Sequence, residues 1–330
     1  MQHEYIERSF FSLGTVNYIK LYNCKDQSLL DLAQKRVMDI DDMMSAYKAD
    51  SDISKLNSNS GRGFIDIHED TYKLLSRSIE FSTMTSGAFD ITIRPLVTLW
   101  GIGKKKNFIP SENEVSVCKK LVNYKNIILD HSNCRAALEN PGQAVDLGGI
   151  AKGFAADEVK RILVENEIDS ALINLGGNIL TIGNKPDGTL WQIGIQNPLA
   201  ATGQHLGIVS LSEKTIVTSG SNERFFIKDG VRYHHILDPL SGKPADNCLL
   251  SVTAIASGSM DADAITTSLF ILGFEAIALN ELKQIVNNEI NYIERSNTSV
   301  FGNLGFEAIF ITKNLEIIAT SGLKEKLRIL

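Results

Sequence analysis

Residues 144–164 read AVDLGGIAKGFAADEVKRILV, and this stretch carries the clearest structural signal in the chain. A glycine pair, Gly148-Gly149, follows an apolar lead-in. Beyond it, apolar side chains recur at helical spacing: Ala151, Ala155, Val159 and Ile162. Glycines let the backbone approach a ligand closely, and a helix N-terminus presents free N–H groups to anions. The stretch predicts a turn and a helix, with Asp146 and Lys152 as candidate ligand-binding charges.

This stretch alone leaves its function open, because a Gly-Gly turn is common where no ligand binds. It lacks the GxxxxGK pattern followed by Ser or Thr, and it lacks GxGxxG. The residues therefore indicate neither a P-loop nor a Rossmann dinucleotide site.

Outward from this stretch, helical and strand-like segments are interleaved without strict alternation. Helical spacing covers 28–46, the region around Tyr72, Leu75 and Ile79, and 259–272. Strand-like runs are at 13–22, 127–129, 171–175, 191–196, 206–211 and 251–256, with a terminal hairpin at 307–319. Residues 87–103 contain Gly, Pro and Trp and are interpreted as loop. The pattern favours one compact α+β domain with a mixed sheet, residues 1–330, over a doubly wound parallel sheet.

A second group of polar residues opens the helix expected at 259–272. Asp263 and Thr267 are four residues apart, so they share a helical face. A carboxylate and a hydroxyl so placed are hard oxygen ligands of the kind that Mg²⁺ prefers. The alternative is an acidic first turn that complements the helix dipole, which suits Asp261 better than Asp263.

A third group is a histidine pair, His234-His235, ahead of an Asp-Pro turn. His235 could act as a general base near neutral pH, although a histidine in a strand is often only structural. Because side chains alternate along a strand, His234 is expected to point outward.

The amino-acid composition limits the classes of molecule that the protein is expected to bind. The formal net charge of -6 disfavours nucleic acid, because an acidic surface repels a polyanion. The basic run Lys104–Lys106 is interpreted as a solvated loop, and the four scattered cysteines do not suggest a zinc site or a disulfide framework. No signal peptide and no transmembrane segment are visible, so a cytoplasmic location is expected, although a trimmed exported form would look the same.

Seven blocks in order resemble one family, that of the FAD:protein FMN transferases, also called ApbE-type flavin transferases. The blocks are SAYKADSDISKLN (45–57), GAFDITIRPLVTLWGIG (87–103), VDLGGIAKGFAADEV (145–159), INLGGNI (173–179), SGSNERFF (219–226), HHILDPLSGKP (234–244) and MDADAITTSLFILG (260–273). The shared pattern runs from about residue 13 to about 320. Each block alone is weak evidence, whereas all seven in sequence are specific.

The resemblance implies a T-fold-like α+β domain, FAD as substrate and Mg²⁺ as cofactor. It implies metal binding by Asp263, Thr267 and the backbone carbonyl of Gly149. It implies an FAD site lined by Tyr47, Ala88, Phe89, Asp90, Asp146, Lys152 and His235. His235 and Asp263 are the catalytic candidates.

The expected reaction is attack by a Thr or Ser hydroxyl of an acceptor flavoprotein on the FMN-side phosphorus of FAD, with release of AMP. Two alternatives stay open from the sequence. The same site could use water and split FAD into FMN and AMP, or the protein could bind flavin without catalysis.

Overall fold

The glycine turn and its helix lie against a large mixed sheet. The computed structural model describes residues 4–104, 107–278, 290–296 and 300–330, so Lys105 and Lys106 of the basic run lie outside the described residues. Within these ranges there are seven α-helices and seventeen strands.

The helices are α1 (Gln27–Met44), α2 (Asp52–Ser58), α3 (Glu69–Met84), α4 (Arg94–Trp100), α5 (Glu112–Lys119), α6 (Ala151–Glu165) and α7 (Ser259–Leu272). The strands of the first half are β1 (Tyr5–Ser12), β2 (Thr15–Tyr22), β3 (Ile65–Asp66), β4 (Ile127–Asp130), β5 (Arg135–Leu138), β6 (Ala171–Leu175), β7 (Asn178–Ile182) and β8 (Trp191–Gln196). The remaining strands are β9 (His205–Leu211), β10 (Thr215–Gly220), β11 (Phe225–Lys228), β12 (Val231–His234), β13 (Leu249–Ala256), β14 (Asn291–Ile293), β15 (Phe306–Thr312), β16 (Ile317–Thr320) and β17 (Leu327–Ile329).

Nine of the described strands form the central sheet, in the order β1-β2-β6-β7-β10-β13-β15-β16-β14. Its described pairs are antiparallel except β14 with β16, which are parallel. The sheet is therefore mixed and the helices are not regular crossovers between parallel strands, which confirms the α+β prediction.

The two faces of the sheet are covered by different layers. Side chains alternate along a strand, so Val217 joins a core with α1, α3, α6 and α7, whereas Ile216 joins the opposite core. That second core is closed by the three-stranded sheet β17-β9-β8, which contributes Trp191 and Val209. A small third cluster gathers Leu96 and Trp100 of α4 beside Val115 and Leu237.

Two local predictions are wrong. Residues 87–103 are not only loop, because Arg94–Trp100 forms α4; Pro95 suits the first turn of a helix, where its missing N–H is not needed. The strand expected from residue 13 begins at Thr15, because Leu13 and Gly14 both have positive φ and turn the chain between β1 and β2.

The described helices are too short or too polar to cross a membrane.

Candidate active site

The centre of the site is the place where the first turns of α6 and α7 meet. A Cβ on Gly153 would lie 2.2 Å from the Ser259 carbonyl oxygen and 2.6 Å from Met260 Cα, so only glycine permits this approach. The contact brings the glycine turn before α6 up to the polar face of α7.

Asp263 is the buried charge at this junction. Its Oδ2 accepts a hydrogen bond from the Gly153 N–H at 3.1 Å and lies 3.6 Å from Lys152 Nζ. Lys152 also donates to the Gly148 carbonyl at 3.2 Å, so its amine is held between the turn and the carboxylate. The Asp263 side chain is 4% exposed, and a charge at that depth requires compensation.

Thr267 lies one turn further along α7 and faces the same glycine turn. A Cβ on Gly149 would be 3.3 Å from Thr267 Oγ1 and 3.3 Å from Phe89 Cε2. The Thr267 hydroxyl is also 3.5 Å from Ser219 Oγ at the end of β10. Gly149, Asp263 and Thr267, which the resemblance groups as metal ligands, therefore lie in one place.

The chemistry of these donors fits a hard cation. In the described part of the chain no three His, Cys, Asp or Glu side chains gather as a metal site, so a metal here would rely on one carboxylate and neutral oxygens. Asp263 Oδ2 contacts the Gly153 N–H and Lys152 Nζ, while Oδ1 has no hydrogen-bond donor among the described residues. Oxygen ligands of this kind suit Mg²⁺ rather than zinc.

Asp146 lies on the other side of the glycine turn, with its charge paired. Its Oδ1 accepts from the Gly148 N–H at 2.9 Å, and Arg94 Nη1 donates to its Oδ2 at 2.8 Å. Arg94 also lies 4.0 Å from the centre of the Tyr47 ring, and Lys104 Nζ lies 3.6 Å from the same centre. Tyr47 is 58% exposed, so an aromatic surface with two cations borders the turn.

The Gly87–Asp90 loop contacts the glycine turn through Phe89. Phe89 is buried and packs edge-on against Phe81 while it contacts Gly149, and Ala88 is buried beside it. Asp90 accepts hydrogen bonds from the Thr92 N–H, the Thr92 hydroxyl and the Tyr124 N–H, at 2.8, 2.6 and 2.9 Å. Burial raises the pKa of Asp90, although these bonds oppose it. Its carboxylate braces the loop, and a role of Asp90 in FAD binding stays a prediction.

The two histidines face opposite to the expectation. His234 is buried, with Nε2 2.9 Å from the Ala245 carbonyl oxygen and its ring edge-on to Phe270. His235 follows β12 and is only half-buried. The prediction that His234 points outward is wrong, because the Ala245 carbonyl and Phe270 provide it with an inward partner and a packing surface.

The sequence of residues 13–288 matches the ApbE family. The chain belongs to the ApbE family. The resemblance inferred from the seven blocks is therefore confirmed.

Relatives of known name are similar over almost the whole chain. The FAD:protein FMN transferase of Klebsiella pneumoniae (strain 342) is 35% identical over 94% of this chain and 90% of its own length. That of Treponema pallidum (strain Nichols) is 30% identical over 98% of this chain and 89% of its own.

Solved ApbE structures share the fold. The ApbE protein of Thermotoga maritima superposes with a TM-score of 0.84 at 30% identity, over 97% of this chain and 98% of that one. The flavin transferase ApbE of Vibrio cholerae gives a TM-score of 0.81 at 26% identity, over 98% and 100%. The mixed-sheet architecture is thus that of the ApbE family.

Sequence reasoning missed three charged residues at this ApbE-family site. Arg94 pairs with Asp146, Asp157 contacts the start of α7, and Glu223 lies near Lys152. Surrounding protein raises the pKa of Glu223, while Lys152 and Arg224 act to lower it and the charge of Asp263 to raise it. All three residues fall within the quoted blocks, but nothing in their spacing reveals a partner more than fifty residues away.

Proposed function

We propose that this chain transfers the FMN moiety of FAD to a Thr or Ser hydroxyl of an acceptor protein, with release of AMP. Its ApbE-family relatives carry the name FAD:protein FMN transferase and align over most of the chain. The observation that carries the proposal is the convergence of Gly149, Lys152, Asp263 and Thr267 at the α6–α7 junction.

Mg²⁺ would be held by the Asp263 carboxylate, the Thr267 hydroxyl and the Gly149 carbonyl. When bound, it would neutralise charge on the phosphate oxygens of FAD. Support comes from the burial of Asp263 and from the small distance between Thr267 and Gly149.

Lys152 and the Arg94–Asp146 pair supply the fixed charges. Lys152 Nζ, held by Gly148 and Asp263, places a positive charge beside the proposed phosphate position. Arg94 and Lys104 flank Tyr47, which forms a cationic aromatic edge for the flat ring and phosphates of a dinucleotide. These side chains would orient FAD.

His235 is the proposed proton acceptor. Its Nδ1 is 3.4 Å from the Arg224 carbonyl oxygen, and because a carbonyl can only accept, this contact assigns the proton to Nδ1 and leaves Nε2 as acceptor. Burial, Arg224, His234 and Lys152 lower the pKa of His235 to about 4, so the ring is neutral at neutral pH. In the reaction the acceptor hydroxyl oxygen bonds to phosphorus, its proton passes to Nε2, and the anhydride oxygen leaves with AMP.

One product analysis separates the proposal from its alternatives. FAD and Mg²⁺ are incubated with the protein, with and without a threonine-containing acceptor, and AMP and FMN are separated by chromatography. A transferase releases AMP only with acceptor and without equivalent free FMN. Equal AMP and free FMN without acceptor would mean hydrolysis, and intact FAD in both samples would mean flavin binding alone.

A further inference from the structure

The first turns of α6 and α7 lack caps of their own. The residues before them, Ile150 and Gly258, make no side-chain hydrogen bond to the helix that follows. The first N–H groups of a helix have no partner within it, so they need acceptors from elsewhere or water.

Each helix instead receives its acceptor from the other. Asp157 of α6 accepts from the Ser259 N–H, with Oδ1 at 2.8 Å and Oδ2 at 3.0 Å, and from the Met260 N–H at 2.8 Å. In return, Asp263 of α7 accepts from the Gly153 N–H of α6 at 3.1 Å.

The arrangement is reciprocal in sequence as well as in space. Asp157 comes four residues after Gly153, and Asp263 comes four residues after Ser259. Each aspartate thus lies one turn beyond the N–H that the partner helix's aspartate caps. Because Gly153 contacts the Ser259 backbone directly, the two caps act across the tightest point of the junction.

A third attachment fixes the start of α7 to the sheet. Ser259 Oγ donates to Asn178 Oδ1 at 2.6 Å and lies 2.9 Å from Thr215 Oγ1. The register of α7 against α6 therefore depends on Asp157 on one side and on β7 and β10 on the other. That register decides where Asp263 and Thr267 stand relative to Gly149.

We propose that Asp157 is a positioning residue, which holds the start of α7 so that Asp263 and Thr267 face Gly149 and Lys152. The proposal rests on the proposed metal-dependent function of that cluster. Asp157 hydrogen-bonds the backbone of Ser259 and Met260 and none of the proposed ligands, so it would act only through the placement of α7.

The test compares Asp157→Ala with Asp26→Ala. Asp26 also caps a helix, since its Oδ1 accepts the Ser28 N–H of α1 at 2.9 Å, and it contacts no proposed ligand among the described residues. Mn²⁺ is the probe, and its binding to flavin-free protein is followed by electron paramagnetic resonance. Thermal unfolding of each variant shows that it is folded.

We expect the Mn²⁺ dissociation constant to rise about tenfold in Asp157→Ala and to stay within about twofold of wild type in Asp26→Ala. The Mn²⁺ dissociation constant of Asp157→Asn should lie between those of wild type and Asp157→Ala, because an amide keeps one acceptor oxygen. If Asp157→Ala does not fold, the Asp157→Asn variant provides the test. A folded Asp157 variant that binds Mn²⁺ like wild type would overturn the positioning role.

The same measurements distinguish a failure of the proposed function from a failure of the positioning role. If wild-type protein binds Mn²⁺ and the Asp157 variants weaken it, but no flavin transfer or FAD cleavage occurs, the positioning role stands and the function does not. If wild-type protein does not bind Mn²⁺, both the metal site and the role of Asp157 are wrong.

Discussion

The α6–α7 junction and the β11–β12 hairpin border the same site but are built differently. At the junction, Asp263 is buried, glycine permits direct backbone contact, and the helices exchange side-chain caps. In the hairpin, Phe225, Ile227 and Val231 are exposed, and within the described residues its strands pair only with each other.

The hairpin is attached at its second strand, where Tyr233 packs on Trp100 and His234, on the opposite face, packs on Phe270. Phe226 stacks on Tyr233 with ring centres 5.0 Å apart, and Tyr233 stacks on Trp100 at 5.9 Å. Regions with few buried contacts open at lower free-energy cost than packed ones. We infer that local opening costs more free energy at the junction, where the proposed metal ligands lie, than in the segment between Arg224 and His235.

The largest effect is expected when the buried carboxylate of the junction is replaced. Asp263→Asn should reduce magnesium-dependent AMP release on the order of 10³-fold, because the neutral amide removes the only acidic side chain among the proposed ligands. Initial rates over a Mg²⁺ titration measure it. Asp261→Asn is the matched control on the same helix, since Asp261 pairs with Arg77 at 2.6 Å, and its rate should stay close to wild type.

The next effect tests the close backbone contact. Gly153→Ala should lower the free energy of unfolding by about 3 kcal/mol, because the new methyl would overlap the Ser259 carbonyl. Gly305→Ala is the control, since no atom lies within 4 Å of a Cβ there. Urea denaturation compares the two, and equal stabilities would mean that the helices are not held at this distance.

A smaller effect concerns pH and His235. The pKa of His235 is about 4 in the folded chain against its usual 6.5, so between these values the unfolded chain binds a proton that the folded chain does not. The free energy of unfolding should therefore fall as pH drops from 6.5 to 4. His235→Gln should reduce that fall on the order of 2 kcal/mol, measured by denaturation at several pH values.

His131→Gln, at an exposed histidine, is the control for the loss of a histidine as such. If His235→Gln and wild type lose stability in parallel over this pH range, His235 is not shielded as described.

The smallest effect belongs to the hairpin surface. Ile227 is 55% exposed, so Ile227→Ser should change the free energy of unfolding by no more than about 0.5 kcal/mol. Denaturation beside the Gly153→Ala variant measures the contrast. A loss as large as that of Gly153→Ala would mean that the hairpin is as firmly packed as the junction.

Much of the fold could be predicted from local patterns. The helical spacing at 151–164 and 259–272 and the strands at 171–175 and 191–196 agree with the structure, because one buried face leaves a regular period in the sequence. The helix Arg94–Trp100 was missed, because it has only seven residues, contains Pro95 and ends before Gly101, so its apolar residues do not show a clear helical period.

The site was predicted only in part. The ordered blocks led to the family, and Asp263 and Thr267 could be paired because they lie on one helix face. The partners of Asp146 and of the α7 N-terminus could not, since Arg94 and Asp157 reach them across 52 and 102 residues. The prediction that His234 points outward was wrong, because strand alternation does not show on which side Phe270 and the Ala245 carbonyl lie.

The most direct test of the central claim is the intact mass of a small threonine-containing acceptor protein after incubation with this protein, FAD and Mg²⁺. We expect a mass gain equal to one FMN moiety, which is absent when EDTA is added and absent when Asp263→Asn replaces the wild-type protein. An acceptor of unchanged mass beside released AMP and free FMN, or the same gain with Asp263→Asn, would contradict it.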